Sequence, residues 1–136
     1  MKRAIAFAIL ILFFILLTGM GSSGKYNSVK VPKTDKNFKV NLVDITGVSV
    51  CLENFSIEGK TNVFGTFGKS DISIDFDQIT SIAFVLKEKV VKATVKLYNG
   101  STMDILINKR KKCFGTFSFT NFRIYISNIK SLEFIK

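Results

Sequence analysis

The chain has 136 residues, of which 47% are hydrophobic and 22% charged, with 20 Lys+Arg against 10 Asp+Glu and a formal charge of +10. This composition excludes a disordered chain, and the length fits one domain or two very small ones. Because there is no histidine and there are only two cysteines, His-dependent catalytic triads and Cys/His or four-cysteine zinc sites are excluded as well.

The N-terminus has the three parts of an export signal. Basic residues Lys2 and Arg3 precede an unbroken apolar run over residues 4–17, and small residues follow up to Gly24. We predict that residues 1–24 are a signal peptide or, alternatively, an uncleaved N-terminal membrane anchor through residues 4–20, which is short for a spanning helix. The remaining chain is then exported to the periplasm, the cell surface or the medium, or is tethered to the membrane.

Residues 25–38 are polar, rich in lysine and contain the only proline. They show no sustained periodicity, so they are predicted to be a flexible basic tether. Once residues 1–24 are removed, the charge of the mature chain is +8.

An internal repeat organises the rest of the chain. Phe64–Phe84 and Phe114–Phe134 are identical at eight of 21 positions at a constant offset of 50. Such fixed-period similarity is the signature of a repeat architecture. We therefore predict β-repeat 1 over residues 39–86 and β-repeat 2 over residues 90–136.

Apolar and polar residues alternate with period 2 through both repeats, as in residues 91–97 and 103–107. This pattern is typical of half-buried antiparallel strands, about five per repeat, with one short helical turn before the last strand. The predicted fold is all-β, with two small antiparallel meanders of roughly 45 residues each. They pack as a sandwich or as two partly open barrels.

The strand layout resembles that of small SH3-like or Sm-like barrels. The ending I-x-S-I/L-x-F, shared by the last 21 residues of each repeat, is similar to short β-repeats of uncharacterised bacterial exported proteins. This resemblance covers layout only and implies no activity.

Most phenylalanines of the repeats are predicted to be core residues, because they recur at matched positions: Phe64, Phe67, Phe114, Phe117 and Phe134. Phe55 and Phe119 break the pattern and are the candidate contact aromatics. Exposed aromatics on a sheet are typical of nucleic-acid binding, but export removes that partner, and nucleic acid is not predicted. The matched Gly65 and Gly115 indicate a bulge or a close backbone approach.

Two further pairs of residues have a chemical and a structural interpretation. Cys51 and Cys113 are a candidate disulfide in an oxidising compartment, or they are small buried residues. Asp75 and Asp77 are interpreted as solvated carboxylates, because the rest of a calcium loop is missing. No metal or cofactor is predicted.

The densest charge cluster is the basic segment, which consists of Lys109, Arg110, Lys111 and Lys112. We predict a hairpin tip there that attracts phosphates, anionic lipid or an acidic partner, or that serves only as a solvated tip. The overall prediction is an exported, non-enzymatic module of the cell envelope that binds an unknown protein partner or covers a surface. Polyanion or anionic-membrane binding through the basic segment is the alternative, and a Ser or Asp hydrolase is the remote one.

Overall fold

Residues 29–136 are described by a computed structural model. The predicted signal or anchor, and residues 25–28 of the predicted tether, lie outside the described residues. The strands are β1 (Lys39–Asp44), β2 (Ser49–Ile57), β3 (Asn62–Phe67), β4 (Ser70–Asp75), β5 (Ile79–Leu86), β6 (Val90–Leu97), β7 (Thr102–Asn108), β8 (Lys112–Phe117), β9 (Thr120–Tyr125) and β10 (Ile129–Ile135). Within residues 29–136 there is no helix long and apolar enough to cross a membrane.

All ten strands belong to one curled antiparallel sheet, in the order β4-β3-β7-β6-β5-β10-β1-β2-β8-β9. The all-β class is therefore confirmed. Consecutive strands are joined by tight turns wherever they pair, and these turns use residues that accept a positive φ, such as Gly68 and Gly100.

The two predicted meanders are not separate sheets. Strand β2 pairs with β8, where Ile57 faces Cys113, and β3 pairs with β7, where Thr66 faces Leu106. The chain thus leaves each half after its second strand and places the next hairpin on the other half. A sheet of five short strands buries little surface by itself, whereas this exchange gives both halves one common core.

The two halves nevertheless have matching local geometry. The hairpins β3–β4 and β8–β9 have the same register, since Val63 faces Ile74 and Cys113 faces Ile124. A 3₁₀ turn follows each hairpin, at Phe76–Gln78 and Ile126–Asn128. The next residues, Ile79 and Ile129, are buried, so the predicted short helical turns are confirmed.

The inner face of the sheet is closed by a cluster of four aromatic rings. Phe38, Phe55, Phe76 and Phe134 have ring centroids between 4.9 and 6.3 Å apart in edge-on or tilted pairs. Such aromatic pairs stabilise a core by more than the burial of their apolar surface alone. Aliphatic residues of the alternating strands, including Val40, Leu42, Leu52, Val91, Val95, Ile105 and Leu132, fill the remainder of the core.

Four of the five recurrent phenylalanines do not lie in this core, and the prediction for them was wrong. Phe64, Phe67 and Phe117 are 47%, 50% and 43% exposed, and Phe114 is half-buried. Only Phe134 is buried. On β3 the inward positions are taken by Val63 and Gly65, so the alternation directs Phe64 outward, and the same holds for Phe114 on β8. Phe67 and Phe117 follow on the inward side, but they are the last residues of their strands and lie beyond the core. We call Phe64, Phe67, Phe114 and Phe117 the outer phenylalanines.

Phe55 is a core residue and not a contact aromatic. The first strands of the two halves, β1 and β6, occupy equivalent places beside β10 and β5, and their matching residues are 53 positions apart in the sequence. Further along, Ile57 and Ile107 match at an offset of 50. The three extra residues form a bulge in β2, where Asn54 adopts a φ of 52° and the register shifts. The bulge places Phe55 in the core, which explains why this residue breaks the repeat pattern.

The described part of the predicted tether lies against the sheet. The amide N–H of Phe55 donates to the carbonyl oxygen of Phe38 at 3.0 Å, and that of Asn54 donates to the Asn37 side chain at 2.7 Å. Lys36 forms an ion pair with Asp77 at 2.7 Å. Residues 29–38 therefore dock on the fold through Phe38, the bulge and the end of β4.

Candidate functional site

The basic segment is not a hairpin tip, because β7 and β8 do not pair with each other. It is a crossover from one side of the sheet to the other, and it runs beside the β2–β3 connection. The Glu58 amide donates to the carbonyl oxygen of Lys112 at 2.8 Å, and the Lys112 amide donates to Glu58 Oε1 at 2.7 Å. These bonds fix the backbone of the segment between the two halves.

The side chains of the basic segment point to different parts of the surface. Lys109 Nζ reaches the carbonyl oxygen of Glu88, and Lys111 Nζ that of Phe64, both at 3.4 Å. Arg110 is exposed. Within the described part of the chain, none of these four cations has a carboxylate at ion-pair distance. The segment is therefore positively charged, but its side chains do not converge on a common binding point.

Two of these cations lie over aromatic rings. Lys111 Nζ is 5.0 Å from the centroid of Phe64, and Lys112 Nζ is 5.7 Å from that of Tyr125. At exposed sites a cation–π contact contributes about 0.5–1 kcal/mol. Each half of the outer face thus combines an aromatic ring with a positive charge.

The outer phenylalanines are the functional candidates that the repeat analysis missed. Their identity in both halves predicts core residues, and this prediction is wrong. The signal that could have corrected this is local, since Phe64 alternates with Val63 and Gly65 and shares its face with Thr66. A threonine on that face indicates the wet side of the strand.

Phe119 is the most exposed aromatic residue in the described chain. Its side chain stands fully in solvent at the turn between β8 and β9, next to Ser118 with a φ of 52°. The matched turn, between β3 and β4, has Gly68 and Lys69 instead. Phe119 therefore remains a candidate contact aromatic, whereas Phe55 does not.

The predicted disulfide is not formed, and both cysteines are free. Cys51 faces Asn41 on β1, whereas Cys113 faces Ile57, six residues further along β2. Six residues of strand span about 20 Å, and a disulfide needs Cα atoms within about 7 Å. Cys113 is buried, and burial raises the pKa of its thiol, so it is a small core residue.

The carboxylates at the end of β4 do not form a metal site. Asp77 is paired with Lys36, and Asp75 is exposed. Among residues 29–136, no group of three or more His, Cys, Asp or Glu side chains is arranged to hold a metal ion.

Comparison with known proteins assigns the chain to a family. A family model described as "Uncharacterised protein" matches residues 34–136, a range that contains all ten strands. No curated protein and no solved structure matches the chain. The chain belongs to this family of uncharacterised proteins.

Proposed function

We propose that the chain is an exported, non-enzymatic module of the cell envelope that binds a partner through its outer phenylalanines. The observation that carries the proposal is that three of these rings are exposed and the fourth, Phe114, is only half-buried. Phe64 and Phe67 of one half, and Phe114 and Phe117 of the other, are identical at matched positions and lie outside the core. Since packing does not require these rings, a repeated contact with another molecule explains them best.

The proposed partner surface is duplicated. Strands β3 and β8 present the same F-G-T-F segment in the two halves, and each segment is followed by a two-residue turn. Two equivalent contacts on one chain favour a repetitive partner, because the second contact forms at high effective concentration. A cell-envelope polymer has this property, and so does a symmetric protein.

We also propose that the two halves are repeats of one unit that have exchanged hairpins. What supports this is the strand order, which reads the same from either edge when each strand is replaced by its counterpart five strands away. The equal registers of the β3–β4 and β8–β9 hairpins support it as well. The SH3-like layout and the export of residues 25–136 belong to the same proposal.

Binding to isolated cell envelopes tests the role of the outer phenylalanines. We expect residues 25–136 to sediment with envelopes, and we expect the double variant Phe64→Ala/Phe114→Ala to bind at least about tenfold more weakly, as loss of two apolar contacts predicts. The control is Ile45→Ala/Val85→Ala, which removes two exposed apolar side chains elsewhere. Equal binding of parent and double variant would refute the proposal.

Polyanion or anionic-membrane binding through the basic segment is the second candidate. The observation that favours it is the position of Lys111 and Lys112 over the rings of Phe64 and Tyr125. Each cation near an anionic surface contributes on the order of 1 kcal/mol, and salt weakens the attraction.

Two charge-matched variants separate this site from the general positive charge. One replaces Lys109, Arg110, Lys111 and Lys112 by Ser, and the other replaces four exposed lysines elsewhere by Ser: Lys69, Lys87, Lys89 and Lys130. Binding to heparin at low salt should be lost in the first variant and largely kept in the second. Equal loss in both variants would assign the attraction to net charge alone.

A further inference from the structure

The turn between β8 and β9 exposes two aromatic side chains at the end of a hairpin. Phe119 is fully exposed, and Phe117 is 43% exposed. Large apolar side chains that stand together in solvent mark a surface that another phase or molecule covers. The turn between β3 and β4 has the same length and register but places Lys69 where this turn has Phe119.

The backbone of the turn holds Phe119 away from the sheet. Phe117 faces Thr120 as the last pair of the hairpin, so the turn consists of Ser118 and Phe119 alone. Ser118 takes a left-handed conformation that is unfavourable for a residue with a Cβ. Within the described chain no ring packs on Phe119, and its whole side chain is available for contact.

The described chain enters the fold beside this turn. The side-chain amide of Asn121 donates to the carbonyl oxygen of Val29 at 2.8 Å. Asn121 is two residues from Phe119, a separation of about 7 Å along a strand. The predicted anchor over residues 4–20 lies upstream, and a stretch of eight residues such as 21–28 can span at most roughly 29 Å. A membrane that held the apolar run would therefore lie within reach of this turn.

The charges near the turn suit an anionic surface. Lys30 and Lys33 are exposed on the entering segment, and Arg123 is exposed on β9. Of the acidic side chains on this side, Asp35 is exposed on the entering segment, and Glu53, which lines a groove together with Phe117 and Ser118, is paired with Lys39 at 3.2 Å. Cations around exposed aromatic rings are the combination that binds the headgroup region of anionic lipids.

We propose that the β8–β9 turn inserts Phe117 and Phe119 into the interface of an anionic membrane on the side where the chain enters the fold. The inference rests on the proposed export in the form where residues 4–20 stay attached as an anchor. It assigns Phe117 to lipid and leaves Phe64, Phe67 and Phe114 as the contacts of the proposed repetitive partner. The β3–β4 turn, with Lys69 and no neighbouring chain entry, does not insert.

The chain contains no tryptophan, so a single substitution gives an unambiguous fluorescent reporter. The test uses the full chain reconstituted with vesicles of phosphatidylglycerol and phosphatidylcholine, in three variants: Phe119→Trp, Phe117→Trp and Phe67→Trp. Phe67 is the matched control, because it is as exposed as Phe117 and precedes the other turn. Thermal unfolding of each variant verifies that the fold is intact.

We expect the emission of Phe119→Trp and Phe117→Trp to shift to shorter wavelength with vesicles and to be quenched several-fold more strongly by bromine-labelled lipid than that of Phe67→Trp. Equal emission with and without vesicles, or equal quenching of all three reporters, would overturn the proposal. So would a shift produced by an envelope protein fraction and not by lipid. Because the vesicles contain no envelope polymer, failure here is distinct from failure of the envelope-binding test with Phe64 and Phe114.

Discussion

Gly65 lies where β3 of one half pairs with β7 of the other, and the space beside it is too small for an added Cβ. A Cβ at Gly65 would lie 2.5 Å from the carbonyl oxygen of Leu106 and 3.3 Å from Cγ1 of Ile107. The closer atom belongs to the backbone of β7, which cannot move as the end of a side chain can. The neighbouring Thr66 faces Leu106 in the register between β3 and β7, so Gly65→Ala forces these strands apart.

The matched residue Gly115 provides the comparison. A Cβ there would lie 3.1 Å from both the carbonyl oxygen of Glu53 and Cβ of Leu52, so a shift of a few tenths of an ångström relieves the contact. Overpacking of this kind costs typically 1–3 kcal/mol, and separating paired backbone adds to it. We expect Gly65→Ala to lower the free energy of unfolding by about 2–4 kcal/mol and Gly115→Ala by about 1 kcal/mol or less, since alanine also restricts the unfolded chain.

Urea unfolding followed by circular dichroism gives both values by linear extrapolation. The reasoning is refuted if Gly65→Ala is as stable as the parent, or if Gly115→Ala is the more destabilised of the two. An unchanged m-value in both variants will verify that the difference lies in the native state.

Three further predictions concern other parts of the sheet. Ser118→Gly should raise the free energy of unfolding by about 1 kcal/mol, because glycine accepts the left-handed φ of this position without strain. Gly68→Ser, at the matched position, should lower it. A melting temperature that falls in the first variant or rises in the second would contradict this. Ser56→Ala should leave stability unchanged or raise it by about 1 kcal/mol, since the buried Ser56 hydroxyl has no hydrogen-bond partner among residues 29–136. A loss above about 1 kcal/mol in urea would show that the hydroxyl is bonded. The pKa of Asp44 is lowered, first by the hydrogen bond from the Thr46 hydroxyl and also by backbone amides of the turn. Its contribution to stability is therefore present above the unfolded-state pKa of about 3.9 and is lost as the pH falls through the lower folded-state value. The difference in melting temperature between the parent and Asp44→Ala should shrink as the pH falls below about 3.9, and a difference that stays constant over that range would contradict the assignment.

Local patterning in the sequence predicts the strands well and their partners poorly. The period-2 alternation identifies the strands, the offset of 50 places Ile79 and Ile129 after matching turns, and glycine in a strand correctly indicates the close approach at Gly65. Alternation specifies which face of a strand is dry, but it carries no information on which strand lies beside it. The pairing of β2 with β8 joins residues that are far apart in the sequence, and it is stabilised by the burial of a common core.

The candidate site is also only partly predictable from local sequence patterns. Identity between repeats does not distinguish a residue kept by packing from one kept by binding, so Phe64 and Phe114 were assigned to the core together with Phe134. Phe55 breaks the repeat, and this predicts a contact aromatic, but a bulge of three residues places the side chain in the core. In both cases the orientation depends on residues across the sheet and not on the residue itself.

The central proposal, that the outer phenylalanines are free to bind because the core does not need them, is tested most directly by their contribution to stability. We would measure the free energy of unfolding of Phe64→Ala, Phe114→Ala and Phe134→Ala in urea. The exposed ring of Phe64 should contribute no more than about 1.5 kcal/mol and the half-buried ring of Phe114 less than about 3 kcal/mol, whereas truncation of a buried phenylalanine costs about 3–5 kcal/mol. We predict that only Phe134→Ala, whose side chain is 9% exposed, falls in the upper range. Losses of about 3 kcal/mol or more in Phe64→Ala and Phe114→Ala would place these rings in the core and contradict the proposal.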